Sequence, residues 1–248
     1  MSDLTGRRAL VTGGAGGIGA AIARELAGRG ALVTVADIDE PAAKELADEI
    51  DGEAWAVDLT DVAALAELTL EVDVLVNNAG FQHVSAIEEF DPVVLHRMLM
   101  LMVEAPFLLV RAALPYMYAR GRGRIVNISS VHGLRASPNK AAYVTCKHAL
   151  EGLSKATALE GAAHGVTSNC VNPGYVRTPL VDAQITAQAR SNDIAEAEVL
   201  DEVLLAGTPI KRLVEPEEVA SLVGHLASDD AAMITGSSST IDGGWTAR

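Results

Sequence analysis

Short apolar runs alternate with stretches whose apolar residues recur every three or four positions, and this alternation persists along almost the whole chain. Arg8 to Thr12 is an apolar run that stops at glycines, the pattern of a buried strand. Ile18 to Arg29 follows with Ile22 and Leu26 four apart, a helical spacing closed by Gly30. Ala31 to Ala36 predicts a second strand ending at Asp37, Pro41 opens a helix to about Ile50, and Glu53 to Val57 predicts a third strand ending at Asp58. A short helix from Asp61 leads to a fourth strand over Val72 to Val76. Pro92 to Ala119 reads as one long helix that Pro106 is expected to kink, because proline brings no N–H to the helical ladder. Arg124 to Ile128, Val166 to Val171 and Ser238 to Ile241 complete the strands, with a helix from Lys140 to His164 and another opening at Glu215. Strand and helix in strict alternation argue a parallel sheet covered on both faces. The expected fold class is α/β, a Rossmann-type doubly wound parallel sheet of about seven strands.

The pattern loosens from Pro179 to Val214, which is rich in Ala, Asp, Glu and Gln and reads as surface helices. An insertion after the C-terminal end of a sheet strand suits a small helical lid over a ligand. No repeat, low-complexity tract or linker interrupts the chain, so residues 1–248 are expected to form a single domain. With 49% hydrophobic but only 4% aromatic residues, the core has to be built from Ala, Val, Leu and Ile. The net charge of −14 argues against nucleic acid and anionic membrane surfaces as partners. Cys146 and Cys170 make no disulfide framework, Met1 to Arg8 holds no apolar signal segment, and Leu99 to Val110 is broken by Glu104 and Pro106. A cytoplasmic protein is expected. No His, Cys and Asp cluster with ligand spacing calls for a metal.

Two stretches carry chemistry. Thr12 to Gly19 contains Gly14-x-Gly16-x-x-Gly19 between a predicted strand and helix, where glycines let the backbone approach a pyrophosphate held by the helix N-terminus. Asp37 ends the next strand about 20 residues on, where a carboxylate binds ribose hydroxyls and repels a 2′-phosphate. Residues 13 to 19 include no Arg or Lys, so NAD is favoured over NADP. Asp58 ends the third strand, where it could meet an adenine amine or simply cap a helix. Asn77-Asn78-Ala79-Gly80 ends the fourth, with small residues leaving room for a ribose and Asn side chains tying strands together. The second stretch is Tyr143-Val144-Thr145-Cys146-Lys147. A phenol and an ammonium four apart share a helix face. Ser137-Pro138 reads as the helix start, which would set Lys140, Tyr143 and Lys147 on one stripe.

With these motifs in place, the chain resembles the short-chain dehydrogenase/reductase family along essentially its whole length. The family's glycine pattern falls on Thr12, Gly13, Gly17 and Gly19, its Asn-Asn-Ala-Gly on residues 77 to 80, and its Tyr-x-x-x-Lys on Tyr143 and Lys147. Its catalytic serine falls on Ser130 and its Pro-Gly turn on Pro173-Gly174. The resemblance implies catalysis by Ser130, Tyr143 and Lys147, with Tyr143 as general base whose pKa Lys147 and a bound nicotinamide lower. It implies cofactor contacts at Thr12, Gly13, Gly17, Ile18, Gly19, Asp37, Asp58, Leu59, Asn78, Ala79, Gly80, Tyr143, Lys147, Pro173, Gly174 and Val176, with Thr178 on the nicotinamide carboxamide.

Phe81-Gln82-His83-Val84, Ser130-Val131-His132-Gly133, Asn139 to Tyr143 and Asp242-Gly243-Gly244-Trp245 look like one branch of the family, the (R)-3-hydroxybutyrate dehydrogenases. That likeness implies a small carboxylate substrate gathered by Gln82, His132, Lys140 and Gln184. It sets Tyr175 where the branch usually has Trp beside the substrate methyl, and Trp245 at the C-terminal Trp. It also implies NAD-dependent, reversible oxidation to acetoacetate and a homotetramer. One position departs: Met102 stands where the family usually has an Asn that completes a proton relay, and Met cannot relay a proton. The competing readings are another reductase of the family, such as a 3-oxoacyl reductase or sugar alcohol dehydrogenase, and a nucleotide-binding regulator without catalysis.

Overall fold

The computed structural model describes residues 3–178, 181, 185, 186, 189, 195 and 198–247. A seven-stranded, wholly parallel sheet runs through it in the order β3-β2-β1-β4-β5-β6-β7. The strands are β1 (Arg8–Thr12), β2 (Leu32–Asp37), β3 (Glu53–Ala56), β4 (Val74–Asn77), β5 (Gly123–Ile128), β6 (Val166–Pro173) and β7 (Ser238–Ile241). The helices are α1 (Gly17–Gly28), α2 (Glu40–Glu49), α3 (Val62–Ala66), α4 (Pro92–Leu99), α5 (Ala105–Arg120), α6 (Ala141–Gly161) and α7 (Pro216–Leu226). The expected α/β class and its doubly wound sheet are the observed ones.

Alternation within the strands sorts the core into two layers. Ala9, Val11, Val33, Val35, Val74 and Val76 face one side and pack with α1, α2 and α7. Leu10, Ala36, Leu75 and Ile125 point the other way onto α3 and α5. A strand whose neighbours are buried on both faces has no solvent side, which is why these runs are continuously apolar. From β1 the chain winds outward to β3, then returns to β4 and winds the opposite way. The β1–β4 pair is therefore the switch point, whose C-terminal mouth is where this fold class binds ligands.

Two local expectations change. The long helix is continuous from Pro92 to Arg120, but the irregularity precedes the proline: Met100–Glu104 is a π-helical turn in which the Ala105 N–H reaches back to the Met100 carbonyl. Pro106 has no N–H and crowds the carbonyl four residues back, so the widened turn absorbs the misfit. This 29-residue helix is also long and apolar enough, by length and composition, to cross a membrane, which the sequence reading of Leu99 to Val110 did not anticipate. Its inner side packs on the sheet and its outer side leaves Val93 and Phe107 exposed. The second correction concerns α6, which begins at Ala141 and not at Ser137. Asn139 adopts φ +62°, a left-handed turn that Asn tolerates, and redirects the chain before the helix starts.

The segment from 179 to 214 is not only a polar surface. Ile185, Ala189, Val199, Leu204, Leu205 and Leu213 form a small buried cluster against Tyr175. The central sheet carries the stability: Leu10 is 1% exposed in the layer under α5. Leu10→Ala should lower the unfolding free energy by about 2–5 kcal/mol in a denaturant titration, the usual cost of a large-to-small core change.

Candidate active site

The C-terminal ends of β1, β4, β5 and β6 open into a cavity of about 610 Å³. Its nucleotide end is made of backbone. Gly13 and Gly17 sit at φ +59° and +51°, where a Cβ is strained. A Cβ on Gly19 would lie 2.0 Å from the Gly13 carbonyl oxygen, so turn and helix touch there without side chains. Gly16 caps α1 in an extended conformation and offers no side-chain acceptor to the first helical N–H groups. Gly16, Gly17 and Ile18 line the cavity, so those donors face it. An open helix N-terminus behind a glycine cradle fits a dinucleotide pyrophosphate.

Thr12 and Asn78 act as a latch across the switch point. The Thr12 hydroxyl accepts the N–H of Asn78 at 3.0 Å and of Ala79 at 3.1 Å. The Asn78 amide donates to the carbonyls of Thr12 at 2.9 Å and Gly13 at 3.0 Å. Asn77 ties β4 to β5 through Asn127 at 2.9 Å. Asn78, Ala79 and Gly80 line the cavity, whereas Thr12 is buried behind them. Asp37 lies at the lip of the glycine turn and accepts the Ala15 N–H at 3.0 Å. The cavity lining includes none of Asp37, Asp58 and Leu59: Asp58 caps its own turn through Thr60, whose bonds hold its carboxyl below the usual range, and the Leu59 side chain is in the core.

Ser130 ends the β5 segment in extended conformation and caps a short turn over Val131–Gly133, its hydroxyl accepting the His132 N–H at 3.1 Å. Tyr143 and Lys147 project from the first turns of α6, and Lys147 Nζ lies 5.5 Å from the Tyr143 ring centre. The Lys147 ammonium is buried and donates to the Ile128 carbonyl at 2.7 Å. Burial pushes Lys147 down to about 8, against the opposing pull of Cys146, Cys170 and Glu151. Burial pushes Tyr143 up to about 12, opposed by the Ser130 hydroxyl and reinforced by Cys146. The expected lowering of the phenol by Lys147 is not found in the polypeptide itself, where burial dominates and the Ser130 hydroxyl is what opposes it.

Gln82, His132, Lys140, Tyr175 and Trp245 line the same cavity as Ser130, Tyr143 and Lys147, together with Pro173, Gly174, Val176 and Thr178. The convergence does not come from one helical stripe. Lys140 is the N-cap of α6 at φ −121°, outside the helix, and reaches the site from the loop. Its ammonium sits 5.5 Å from the Tyr175 ring centre, a cation–π geometry. Burial lowers the Lys140 pKa. His132 packs against Tyr143 at 6.1 Å and Trp245 at 5.9 Å between ring centres. Burial, and then the Lys140 charge, push His132 down to about 4, so its ring is neutral near pH ~7. A neutral imidazole beside a half-buried cation makes a pocket short of one negative charge. Gln184 lies outside the described residues.

Ser137, Leu205, Thr208 and Arg212 are among the cavity-lining residues that sequence reasoning did not select. Ser137 lines the cavity and bonds His132 Nε2 at 3.0 Å instead of capping a helix. Its only signal was a Ser-Pro pair, which reads more readily as a helix start. Leu205 and Thr208 reach the cavity from the lid segment, and no sequence pattern marks them. Met102, in the π-turn, is buried with Met98, Ala142 and Cys146. A Cβ on Gly80 would lie 2.9 Å from its sulfur, so a thioether fills the space beside Gly80 and no proton-bearing group stands there. Among the described residues no cluster of three or more His, Cys, Asp or Glu could hold a metal.

The glycine cradle gives a direct test. Gly19→Ala should leave the protein folded by circular dichroism but weaken NADH binding at least about tenfold in a fluorescence titration, because the new methyl must push the Gly13 carbonyl out of the turn.

Comparison with known proteins places this geometry. Residues 13–246 match a family model described as Enoyl-(Acyl carrier protein) reductase. A D-beta-hydroxybutyrate dehydrogenase of Rhizobium meliloti (strain 1021) is 44% identical, covering 98% of this chain and 99% of the relative. A 2-keto-3-deoxy-L-fuconate dehydrogenase of Xanthomonas campestris pv. campestris is 37% identical over 98% of this chain and 81% of its own. A solved structure from Agrobacterium tumefaciens with bound NADP superimposes with a TM-score of 0.88 at 32% identity, covering 99% of this chain and 98% of that one. The Ser130, Tyr143 and Lys147 constellation beside a glycine cradle, on a sheet shared end to end with these proteins, makes the chain a member of the short-chain dehydrogenase/reductase family of oxidoreductases.

Proposed function

We propose that the protein is an NAD-dependent dehydrogenase that reversibly oxidises (R)-3-hydroxybutyrate to acetoacetate. The observation that carries this reading is the meeting of Lys140, His132 and Gln82 with Tyr143 in one cavity. A carboxylate entering that pocket finds the Lys140 cation and directional donors, with Tyr175 and Trp245 as apolar walls. The hydroxybutyrate dehydrogenase relative supports the same reading. The fuconate relative supports a second one, oxidation of a sugar acid, whose carboxylate would use the same cation. Asp37 at the lip of the glycine turn supports NAD over NADP, since a carboxylate there repels a 2′-phosphate.

Bound NAD supplies a hydride acceptor. The protein supplies the rest. Ser130 fixes the substrate oxygen beside Tyr143, and Tyr143 takes the hydroxyl proton. Lys147 holds the cofactor ribose and keeps positive charge next to the phenol. A phenol raised by burial holds its proton near neutral pH, the protonation state that ketone reduction uses, while alcohol oxidation is favoured as pH rises and the phenol loses its proton. A cytoplasmic location and a homotetramer are part of the proposal, the tetramer supported by the uncovered apolar side of the Pro92–Arg120 helix at Val93 and Phe107.

Two measurements at 340 nm test the reading. Tyr143→Phe should keep NADH binding while turnover falls by at least about a hundredfold, the ordinary share of a general base. A variant that reduces NAD at the parent rate removes Tyr143 from the chemistry. Lys140→Ala should raise the KM for hydroxybutyrate about tenfold or more and leave that for NAD nearly unchanged. A panel including sugar acids ranks the two substrates, and equal effects on both KM values would place Lys140 outside the carboxylate pocket.

A further inference from the structure

Glu151 is a buried carboxylate that the proposed chemistry leaves without a task. It lies on α6 one turn beyond Lys147 and is 4% exposed. A carboxylate withdrawn from water is costly unless its oxygens are hydrogen-bonded, and both are. Oε1 accepts the Asn172 amide at 2.6 Å, and Oε2 accepts the Ser238 hydroxyl at 2.6 Å. The same Asn172 amide nitrogen also donates to the Ser130 carbonyl at 2.9 Å. One carboxylate therefore joins α6, β6 and β7 to the backbone that presents the Ser130 hydroxyl. The turn sits directly on it: a Cβ on Gly133 would lie 2.9 Å from Glu151 Oε1.

We propose that Glu151 is a positioning residue for the oxidoreductase reaction, pinning Ser130 through Asn172 and serving as the fixed counter-charge that keeps the Lys147 ammonium protonated. The inference rests on the reading of Tyr143 and Lys147 as the proton-handling pair. The groups facing Lys147 are Tyr143, Cys146 and Glu151 on its own helix, Cys170 on β6 and the Ile128 carbonyl on β5. Burial pushes Cys146 up to about 11 and Cys170 higher still, so both thiols are uncharged near pH ~7. His132, on the turn that packs against Glu151, is neutral there as well. Among these groups Glu151 is the one carboxylic acid, one turn along the same helix from Lys147 and buried with it. Charges one helical turn apart and out of water interact strongly, because little solvent screens them.

Glu151→Gln separates charge from shape, since glutamine keeps an acceptor for Asn172 and a group that Ser238 can bond. In protein labelled with 13C-lysine, with the Lys147 signal identified by its loss in Lys147→Arg, the Lys147 titration midpoint should fall by about one pH unit in E151Q. The alkaline limb of kcat/KM for oxidation should move down by the same amount while the KM for NAD stays nearly constant. Glu151→Asp, which keeps the charge but shortens the reach to Asn172, should hold the midpoint and lower kcat. An unmoved midpoint in E151Q, or a loss of activity equal at every pH, overturns the proposal. If E151Q does not fold, Asn172→Ser decides: kcat should drop roughly tenfold at an unchanged Lys147 midpoint, and an unchanged kcat overturns the link to Ser130. A parent protein that oxidises none of the hydroxy acids refutes the substrate reading alone, because the Lys147 titration is read without turnover.

Discussion

A buried ammonium sets the terms for the active site. Lys147 has lost its water, and an unpaired cation in that environment would shed its proton. The fold answers with the Ile128 carbonyl at 2.7 Å, which the end of a parallel strand leaves free, and with a carboxylate one turn away on the same helix. Both solutions require α6 to lie across the ends of β5 and β6. The tyrosine one turn earlier is then carried into the cavity by the same placement. Catalytic geometry here follows from how one cation is kept in the interior.

The rest of the cavity divides by the kind of atom that does the work. At the nucleotide end the backbone acts, and side chains are excluded: Gly19 meets Gly13 with no room for a methyl group. The Thr12–Asn78 latch holds that backbone still by spending side-chain hydrogen bonds on main-chain partners. At the substrate end side chains act, and they come from separated stretches of sequence. His132 is kept neutral first by burial and then by the Lys140 charge that would draw in a carboxylate, so the two residues play unequal parts. Lys140 provides the field, and His132, tied to Ser137, provides a directional edge.

Met102 marks where this chain parts from its family's usual pattern. The π-turn at Met100–Glu104 that carries it lies just before Pro106, which brings no N–H to the ladder. The thioether packs beside Gly80 within a cluster that includes Cys146, which makes the floor of the site apolar. An apolar floor deepens the desolvation of Lys147 and Tyr143, and a charge held at Glu151 gains influence in such surroundings.

The sequence by itself determined the order of strands and helices, the glycine turn and the Tyr143 and Lys147 pair, because each rests on local periodicity or on a motif of fixed spacing, whereas the polar set at Gln82, His132 and Lys140 came from likeness to one branch of the family. It misjudged what depends on the chain's path between elements. Ser137 read as a helix cap because a Ser-Pro pair has that local meaning, but the left-handed turn at Asn139 moved the start of α6 and turned Ser137 toward His132. Pro106 announced a kink, but only the packed helix decided that the ladder would widen one turn earlier. The pKa of Tyr143 followed the same rule: a neighbouring lysine is visible in a sequence, whereas the depth of burial that raises the phenol is a property of the folded interior. Glu151 carries no mark in the sequence, because burial and the partners it demands are set by β6 and β7, elements far from α6 in the chain.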